Sequence, residues 1–394
     1  MKIILSLVLL FLHASATILE NGQVRENPYP GQAQKVSIGE KGWKTYKPDA
    51  AEISYKGRWD DQHISWWSAP GIKFAFTGDK LALSFGKNTD QGVLVAYRMG
   101  GLDWQFSNVT ADATYQFAGH ASAGVHPTAS TAAKTFEMRG VSVAGNSTLT
   151  KVKEYPKTIE IIGDSLSAGQ YGTYEGLSSW AYTFAAGLGN AEYSITAFPG
   201  ICLHDQECWG NERGQAYQWY RTADTSGRAR ALYGEDPPKW DFAAHRAADL
   251  VVINLGTNDN NTENNVSGTN YVNSYVSLID GVHERWPKAQ VVLMSLWGGF
   301  GQVGDTYAQG ALYIDEIKAV NEHYKEDKFV HYFDTTGILQ HNDIGPQWHP
   351  TDVGQIKVAS HLMQWVKIKF GWEMEATGPE VLHDTLYWND ESSY

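Results

Sequence analysis

Alternation of apolar and polar positions dominates the first third of the chain, and strand-then-helix periodicity dominates the rest. Ile72, Phe74 and Phe76 alternate with their neighbours, Thr77-Gly78-Asp79-Lys80 supplies turn residues, and Leu81, Leu83 and Phe85 alternate again. That pattern predicts a β-hairpin. Val93 to Tyr97 forms the next apolar run, Gly100-Gly101 breaks it, and Phe136 to Val143 supplies a later strand. Several short strands separated by turns predict a β-sandwich of jelly-roll type ending near residue 150. Residues 17 to about 50 are polar and without period, an extended leader, so leader and sandwich together occupy 17–150.

The texture changes after Lys151-Val-Lys-Glu-Tyr-Pro156. Ser179–Leu188 has helical spacing, Ala191–Ala197 reads as a strand, and Ala248–Leu255 is a nearly continuous apolar strand. Tyr271–Trp286 is helical and stops before Pro287; Gln290–Leu296 is a buried strand, Ala311–Tyr324 a helix and Phe329–Phe333 a strand. A last helix opens at Thr351-Asp352 and runs through Ile356, Ala359, Met363 and Val366. Strands alternating with helices predict a parallel sheet covered on both faces, here a second domain over 151–372, with its site at the carboxyl ends of the strands. Between two strands lies the long insertion His204–Ala247, carrying Trp209, Trp219, Tyr220 and Trp240. Loops of that length in a compact domain are usually functional or hold a helix of their own. Residues 373–394 form an acidic tail with no assigned structure.

Length and charge narrow the picture further. A chain of 394 residues exceeds one ordinary core, which fits two domains. A net charge of −13 argues against nucleic acid or an acidic membrane surface as partner. At the N-terminus Lys2 precedes the apolar run Ile3–Leu12, and Ala14-Ser15-Ala16 is a small-residue cleavage pattern. The run is too short to span a bilayer, so residues 1–16 read as a signal peptide and the mature chain as secreted and extracellular, with no membrane partner. Acceptor triplets for N-glycosylation start at Asn108, Asn146, Asn260 and Asn265. The only two cysteines, Cys202 and Cys208, are expected to pair in an oxidising compartment. The sequence is silent on oligomeric state.

The candidate chemistry starts at Ile159-Glu-Ile-Ile-Gly-Asp-Ser165-Leu-Ser-Ala-Gly169, a short β-rich run that ends in small polar residues. A buried strand of this kind delivers a reactive side chain to the rim of an open α/β sheet, and Ser165 is the residue delivered. An ester hydrolase needs a nucleophile, a base touching it and donors for the oxyanion. Pro199-Gly200, Gly256-Thr257-Asn258-Asp259 and Trp348-His349-Pro350 are the pieces able to complete such a site. The α/β-hydrolase elbow is absent, because Ser167 stands where that motif wants glycine. Neither a zinc-type ligand pattern nor a phosphate-binding glycine loop is present, so no metal and no cofactor is expected.

Taken together, Gly163-Asp164-Ser165-Leu166, Gly200, Gly256-Thr257-Asn258-Asp259 and His349-Pro350 resemble, in order and spacing, the blocks of the GDSL or SGNH hydrolases across roughly residues 157–370. The sandwich in front resembles the two-domain plan of carbohydrate esterase family 2, in particular its secreted fungal-type members. The resemblance implies an α/β fold, an SGNH-hydrolase three-layer parallel-sheet sandwich preceded by an N-terminal β-sandwich. It implies Ser165 as nucleophile and His349 as general base, with the N–H groups of Ser165 and Gly200 and the Asn258 amide as oxyanion hole.

One departure stands out. The family's usual aspartate three residues before the histidine is replaced here by Pro346. Asp343 reaching back, or a backbone carbonyl such as that of Trp348 or a neighbour, would have to orient the imidazole, the carbonyl being preferred; Asp164 is expected to fix its turn instead. The resemblance also implies O-acetyl removal from xylan or glucomannan, with Trp180, Trp209, Trp297 and Trp348 as candidate sugar-stacking rings. Gly57-Arg58-Trp59 through Trp66-Trp67 is the stretch of the sandwich expected at the cleft wall. Competing readings are a lipase or phospholipase on the same fold, and a carbohydrate-binding protein whose catalysis is impaired by the missing aspartate.

Overall fold

A computed structural model describes residues 19–377, apart from short stretches at 21–22, 25–31, 40–41, 101–103, 118–123, 126–127 and 131–133. The expected signal peptide and residues 378–394 of the acidic tail lie outside the described residues.

The C-terminal region is built on five parallel strands in the order Ala191–Ala197, Lys157–Gly163, Leu250–Asn254, Gln290–Met294 and Val330–Phe333. These strands are apolar at nearly every position because both faces are covered. Ile159, Ile161, Leu250, Val252, Val292 and Met294 point to one face, where the helices Trp180–Gly187 and Asp352–Phe370 pack through Phe184, Val358, Leu362 and Val366. Ile162, Val251, Ile253, Val291 and Leu293 point to the other, under Gly268–Arg285 and Ile314–His323. The result is three layers with a parallel sheet in the middle.

The N-terminal region is antiparallel and two-layered. One sheet is centred on Gly71–Phe76 and Val93–Tyr97, the other on Leu81–Phe85 and Phe136–Ala144. Gly71–Phe76 and Leu81–Phe85 are therefore not the hairpin that their alternation suggests. Thr77–Lys80 carries the chain from one sheet to the other, so that Ile72, Phe74 and Phe76 face Leu81, Leu83 and Phe85 across a shared core. Part of the expected leader is also structured: Gln34–Lys35 and Trp43–Tyr46 are strands of the second sheet.

The two regions meet along a buried seam. Arg58, 1% exposed, donates to Glu160 at 2.8 Å, to the carbonyl of Trp219 and to that of Arg221 at 3.1 Å. Glu160 sits on the central strand Lys157–Gly163 and also accepts from Thr196 Oγ1 at 2.7 Å and Trp219 Nε1 at 3.1 Å. Lys73 and Lys56 both pair with Glu192 on the edge strand. Ser68 bridges that strand at Ile195 and donates to the Ala197 carbonyl. The 204–247 insertion fills the rest of the seam: Ala223 and Ala229 pack with Trp66, Trp67 and Phe198. Consequently the Gly57–Trp67 stretch is not a cleft wall: Arg58, Trp66 and Trp67 are buried at the seam, and Trp59 is buried in the core of the sandwich.

Candidate active site

Ser165 opens a one-turn helix, Ser165–Ala168, at the carboxyl end of the strand Lys157–Gly163. Asp164 caps that turn through Oδ1, which accepts from the Leu166 N–H at 2.9 Å, and Gly169 ends it in the left-handed conformation at φ 72°. The hydroxyl is thereby aimed out of the sheet.

His349 arrives from the loop before the last helix. Its Nε2 lies 2.8 Å from Ser165 Oγ, across 184 residues of sequence. Its Nδ1 lies 2.9 Å from the carbonyl oxygen of Gln347. A carbonyl only accepts, so Nδ1 carries the hydrogen and Nε2 is left to accept from the serine. A hydroxyl, an imidazole and a fixed acceptor in line can pass a proton from the first to the second as the oxygen attacks.

Of the two candidates for orienting the imidazole, the side chain of Asp343 is not used and a backbone carbonyl is. Asp343 is spent elsewhere: its carboxylate holds Lys357 at 2.6 and 2.9 Å and accepts from Gln340 N–H at 2.9 Å. It is a brace for the loop rather than a partner of the histidine. Nor is it the Trp348 carbonyl that faces Nδ1, but that of Gln347 one residue earlier. Both Gln347 and Trp348 take positive φ, 48° and 61°, which turns the Gln347 carbonyl back toward the ring.

On the other side of Ser165, Gly200 has φ 79°, and a Cβ there would stand 2.8 Å from the Trp209 Cβ. Glycine is required on both counts. The Cys202–Cys208 disulfide closes the adjoining loop. Asn211 then ties it back by donating to the Pro199 carbonyl at 3.1 Å. Asn258 Nδ2 donates to the Ile201 carbonyl at 2.9 Å and stands 3.5 Å from Asp164 Oδ2, at the limit of a hydrogen bond.

Two buried carboxylates underlie these loops. Asp259 accepts from the N–H groups of Leu203 and His204, both at 2.8 Å. Burial pushes Asp164 up to about 7, against the pull of the Leu166 N–H and with a further push from Asp259. Burial likewise raises Asp259 to about 6, although its two N–H donors act the other way.

The aromatic candidates divide sharply. Trp348 is 69% exposed and lies beside His349, its indole against Gly299, where a Cβ would come within 2.3 Å of Cδ1. Trp209 is 51% exposed above Gly200. Trp180 and Trp297, at 0% and 2%, belong to the core beneath the sheet and offer no ring face to a sugar. Among the sequon residues, Asn146, Asn260 and Asn265 are exposed and Asn108 is half-buried on its strand. No group of His, Cys, Asp and Glu side chains among the described residues is arranged to hold a metal ion. No helix among them is long and apolar enough to cross a membrane. A separate cavity of about 730 Å³ lies between the insertion and the helix Gly268–Arg285, lined by His204, Tyr217, Lys239 and Asn273 among others.

With this geometry in place, the class of the domain is clear: residues 161–356 match the GDSL-like Lipase/Acylhydrolase family and form a GDSL-like hydrolase domain. Solved structures share the fold over nearly their whole length. A family two carbohydrate esterase from Clostridium thermocellum, in complex with cellohexaose, is 22% identical, with a TM-score of 0.62 over 81% of this chain and 99% of that one. An acetyl xylan esterase from the rumen bacterium Butyrivibrio proteoclasticus is 18% identical, with a TM-score of 0.64 over 84% and 100%. A carbohydrate esterase family 2 enzyme from Corynascus, also named Myceliophthora fergusii, is 20% identical, with a TM-score of 0.62 over 81% and 100%. No curated protein sequence matches the chain.

Proposed function

We propose that the protein is a secreted serine carbohydrate esterase that removes O-acetyl groups from plant cell-wall polysaccharides such as xylan and glucomannan. The observation that carries this reading is the Ser165–His349–Gln347 carbonyl line, at 2.8 and 2.9 Å. Ser165 Oγ attacks the acetyl carbonyl carbon while His349 Nε2 takes its proton. The N–H groups of Ser165 and Gly200 and the Asn258 amide receive the oxyanion, each such donor being worth on the order of 100- to 1000-fold in turnover. The C–O bond to the sugar then breaks, and the leaving sugar oxygen takes the proton from His349. Water, deprotonated by the same imidazole, attacks the acetyl-serine and releases acetate. The exposed rings of Trp348, next to His349, and Trp209, against Gly200, support a pyranose over a long acyl chain. That the fold is shared with carbohydrate esterases, one of them holding cellohexaose, supports the same substrate class.

The test is acetate release from acetylated xylan and acetylated glucomannan by the wild type and Ser165→Ala, with a long-chain fatty ester alongside. Release that disappears in the variant is the expected result. Preference for the fatty ester would instead make the protein a lipase or phospholipase. Failure to hydrolyse any ester would leave a carbohydrate-binding protein.

A further inference from the structure

We propose that Tyr171 is a positioning residue for the imidazole: it clasps the loop that supplies the Gln347 carbonyl and so stands in for the absent aspartate. The inference rests on the esterase reading above. Its starting point is a conflict in the backbone. The Gln347 carbonyl faces His349 Nδ1 only because Gln347 and Trp348 are both in the left-handed region, at φ 48° and 61°. Two consecutive non-glycine residues there are strained, and such a conformation persists only where its surroundings over-determine it.

Part of the restraint comes from the base of the loop. The Gly345 N–H donates to the His349 carbonyl at 2.6 Å, and the Thr351 N–H to the Asp343 carbonyl at 2.8 Å. These bonds close the loop but do not choose the direction of the Gln347 carbonyl at its tip. The Trp348 indole rests against Gly299, and the hydrogen bond that reaches Gln347 itself is from the Tyr171 hydroxyl, which donates to Gln347 Oε1 at 2.8 Å. The same ring stands edge-on to the His349 ring, with centroids 5.0 Å apart and planes at 75°.

Tyr171 is itself mounted on the nucleophile's own segment. The Gln170 N–H donates to the Ser165 carbonyl at 3.1 Å, and the Gly172 N–H to the Gly169 carbonyl at 3.0 Å. The Thr173 N–H donates to Asp352 Oδ1 at 2.9 Å, at the start of the last helix. Tyr171 too has a positive φ, 66°, which puts its side chain on the histidine side of the turn. One side chain therefore indexes the base to the nucleophile: its backbone is tied to Ser165, its ring touches His349, and its hydroxyl holds the residue whose carbonyl orients His349. An aspartate on Nδ1 would need no such device, since its carboxylate supplies charge as well as direction.

The experiment compares kcat and KM for acetylated xylan, and the melting temperature, across Tyr171→Phe, Gln347→Met, Gln347→Glu and the double variant Tyr171→Phe/Gln347→Met. Tyr171→Phe keeps the ring contact and removes only the hydroxyl. Tyr171→Phe and Gln347→Met are each expected to lower kcat about five- to tenfold, the rate equivalent of one ordinary hydrogen bond. KM and melting temperature should stay at wild-type values, and the double variant should lose no more than either single one. Gln347→Glu keeps an acceptor for the hydroxyl and should lose less kcat than Gln347→Met; an equal loss in the two would overturn the clasp. Wild-type kcat in Tyr171→Phe, additive losses in the double variant, or a loss confined to KM would each overturn the clasp. Full activity in Ser165→Ala, run in parallel, would overturn the esterase mechanism itself; a dead Ser165→Ala beside an unimpaired Tyr171→Phe would remove only the clasp.

Discussion

The seam between the domains and the rim around Ser165 solve the same problem, holding polar groups in fixed geometry, in opposite ways. At the seam Glu160 takes three donors, from Arg58, Thr196 and Trp219, in a place water does not reach. At the rim the imidazole leans on a backbone acceptor, the Gln347 carbonyl, held through two strained residues, with Trp348 open to solvent beside it. Redundancy at the seam makes it a determinant of stability. Economy at the rim makes it a determinant of rate. Substitutions in the two places should therefore separate cleanly in what they change.

The largest effect is expected at the rim. His349→Ala should reduce turnover by on the order of 10⁴-fold or more while leaving the melting temperature near that of the wild type. A parallel fall in stability would blur the division. At the seam, Arg58→Ala should cost about 3–5 kcal/mol in urea unfolding, because it strands the buried carboxylate of Glu160. Replacing Arg58 and Glu160 together with apolar residues of similar volume should recover most of that loss; if the double replacement is as unstable as the single one, the stranded-charge explanation fails.

The disulfide lies between the two regimes. Replacing Cys202 and Cys208 by serine opens a loop with a sequence separation of 6 and should cost about 2 kcal/mol. It should also raise KM through the Trp209 turn, and a loss of stability with unchanged kinetics would assign the bond to the seam alone.

pH sharpens the comparison from beneath the rim. Asp164 and Asp259 are raised by burial to about 7 and about 6 from an ordinary 3.8, so each binds its proton more tightly folded than unfolded. Their contribution to stability is full below about pH 4 and is lost as pH rises through 6 and 7. Urea midpoints measured from pH 4 to 8 should fall over that window. Asp259→Asn should flatten the part of the fall between about 4 and 6, and an unaltered profile would mean that Asp259 does not titrate there.

The smallest effect is expected at the ring beside the histidine. Trp348→Ala should raise KM for acetylated xylan about two- to tenfold and leave a small aryl acetate nearly untouched. Equal effects on both substrates would mean that the indole supports the loop instead of the sugar.

Much of this architecture could be read from residues alone, and the failures share a cause. The parallel sheet was legible because strands such as Leu250–Asn254 are buried on both faces and so are apolar throughout. Ser165 and His349 were legible because each is embedded in a local motif. The hairpin at residues 72–85 was misread because alternation reports a buried face but not which strand lies alongside. Trp180 and Trp297 were misplaced because a tryptophan in sequence carries no sign of whether its ring ends in a core or on a surface. The missing aspartate at Pro346 pointed to a backbone carbonyl near Trp348, but which carbonyl could not be read, since every residue has one. Tyr171 and the Arg58–Glu160 pair depend on partners 176 and 102 residues away, beyond the reach of any local pattern.

The bridge from Ser68 to Ile195 has a consequence for the order of events during synthesis. Ala191–Ala197 is the outermost strand on its side of the parallel sheet, and a bare edge of that kind recruits strands from other chains. Here the covering segment is encoded more than a hundred residues earlier than the strand it covers. Domains fold largely as units, with the N-terminal one first, so the sandwich can be in place when the edge strand emerges. The sandwich then works as a built-in escort, shielding the sheet from its own copies at the stage when it is most open to them.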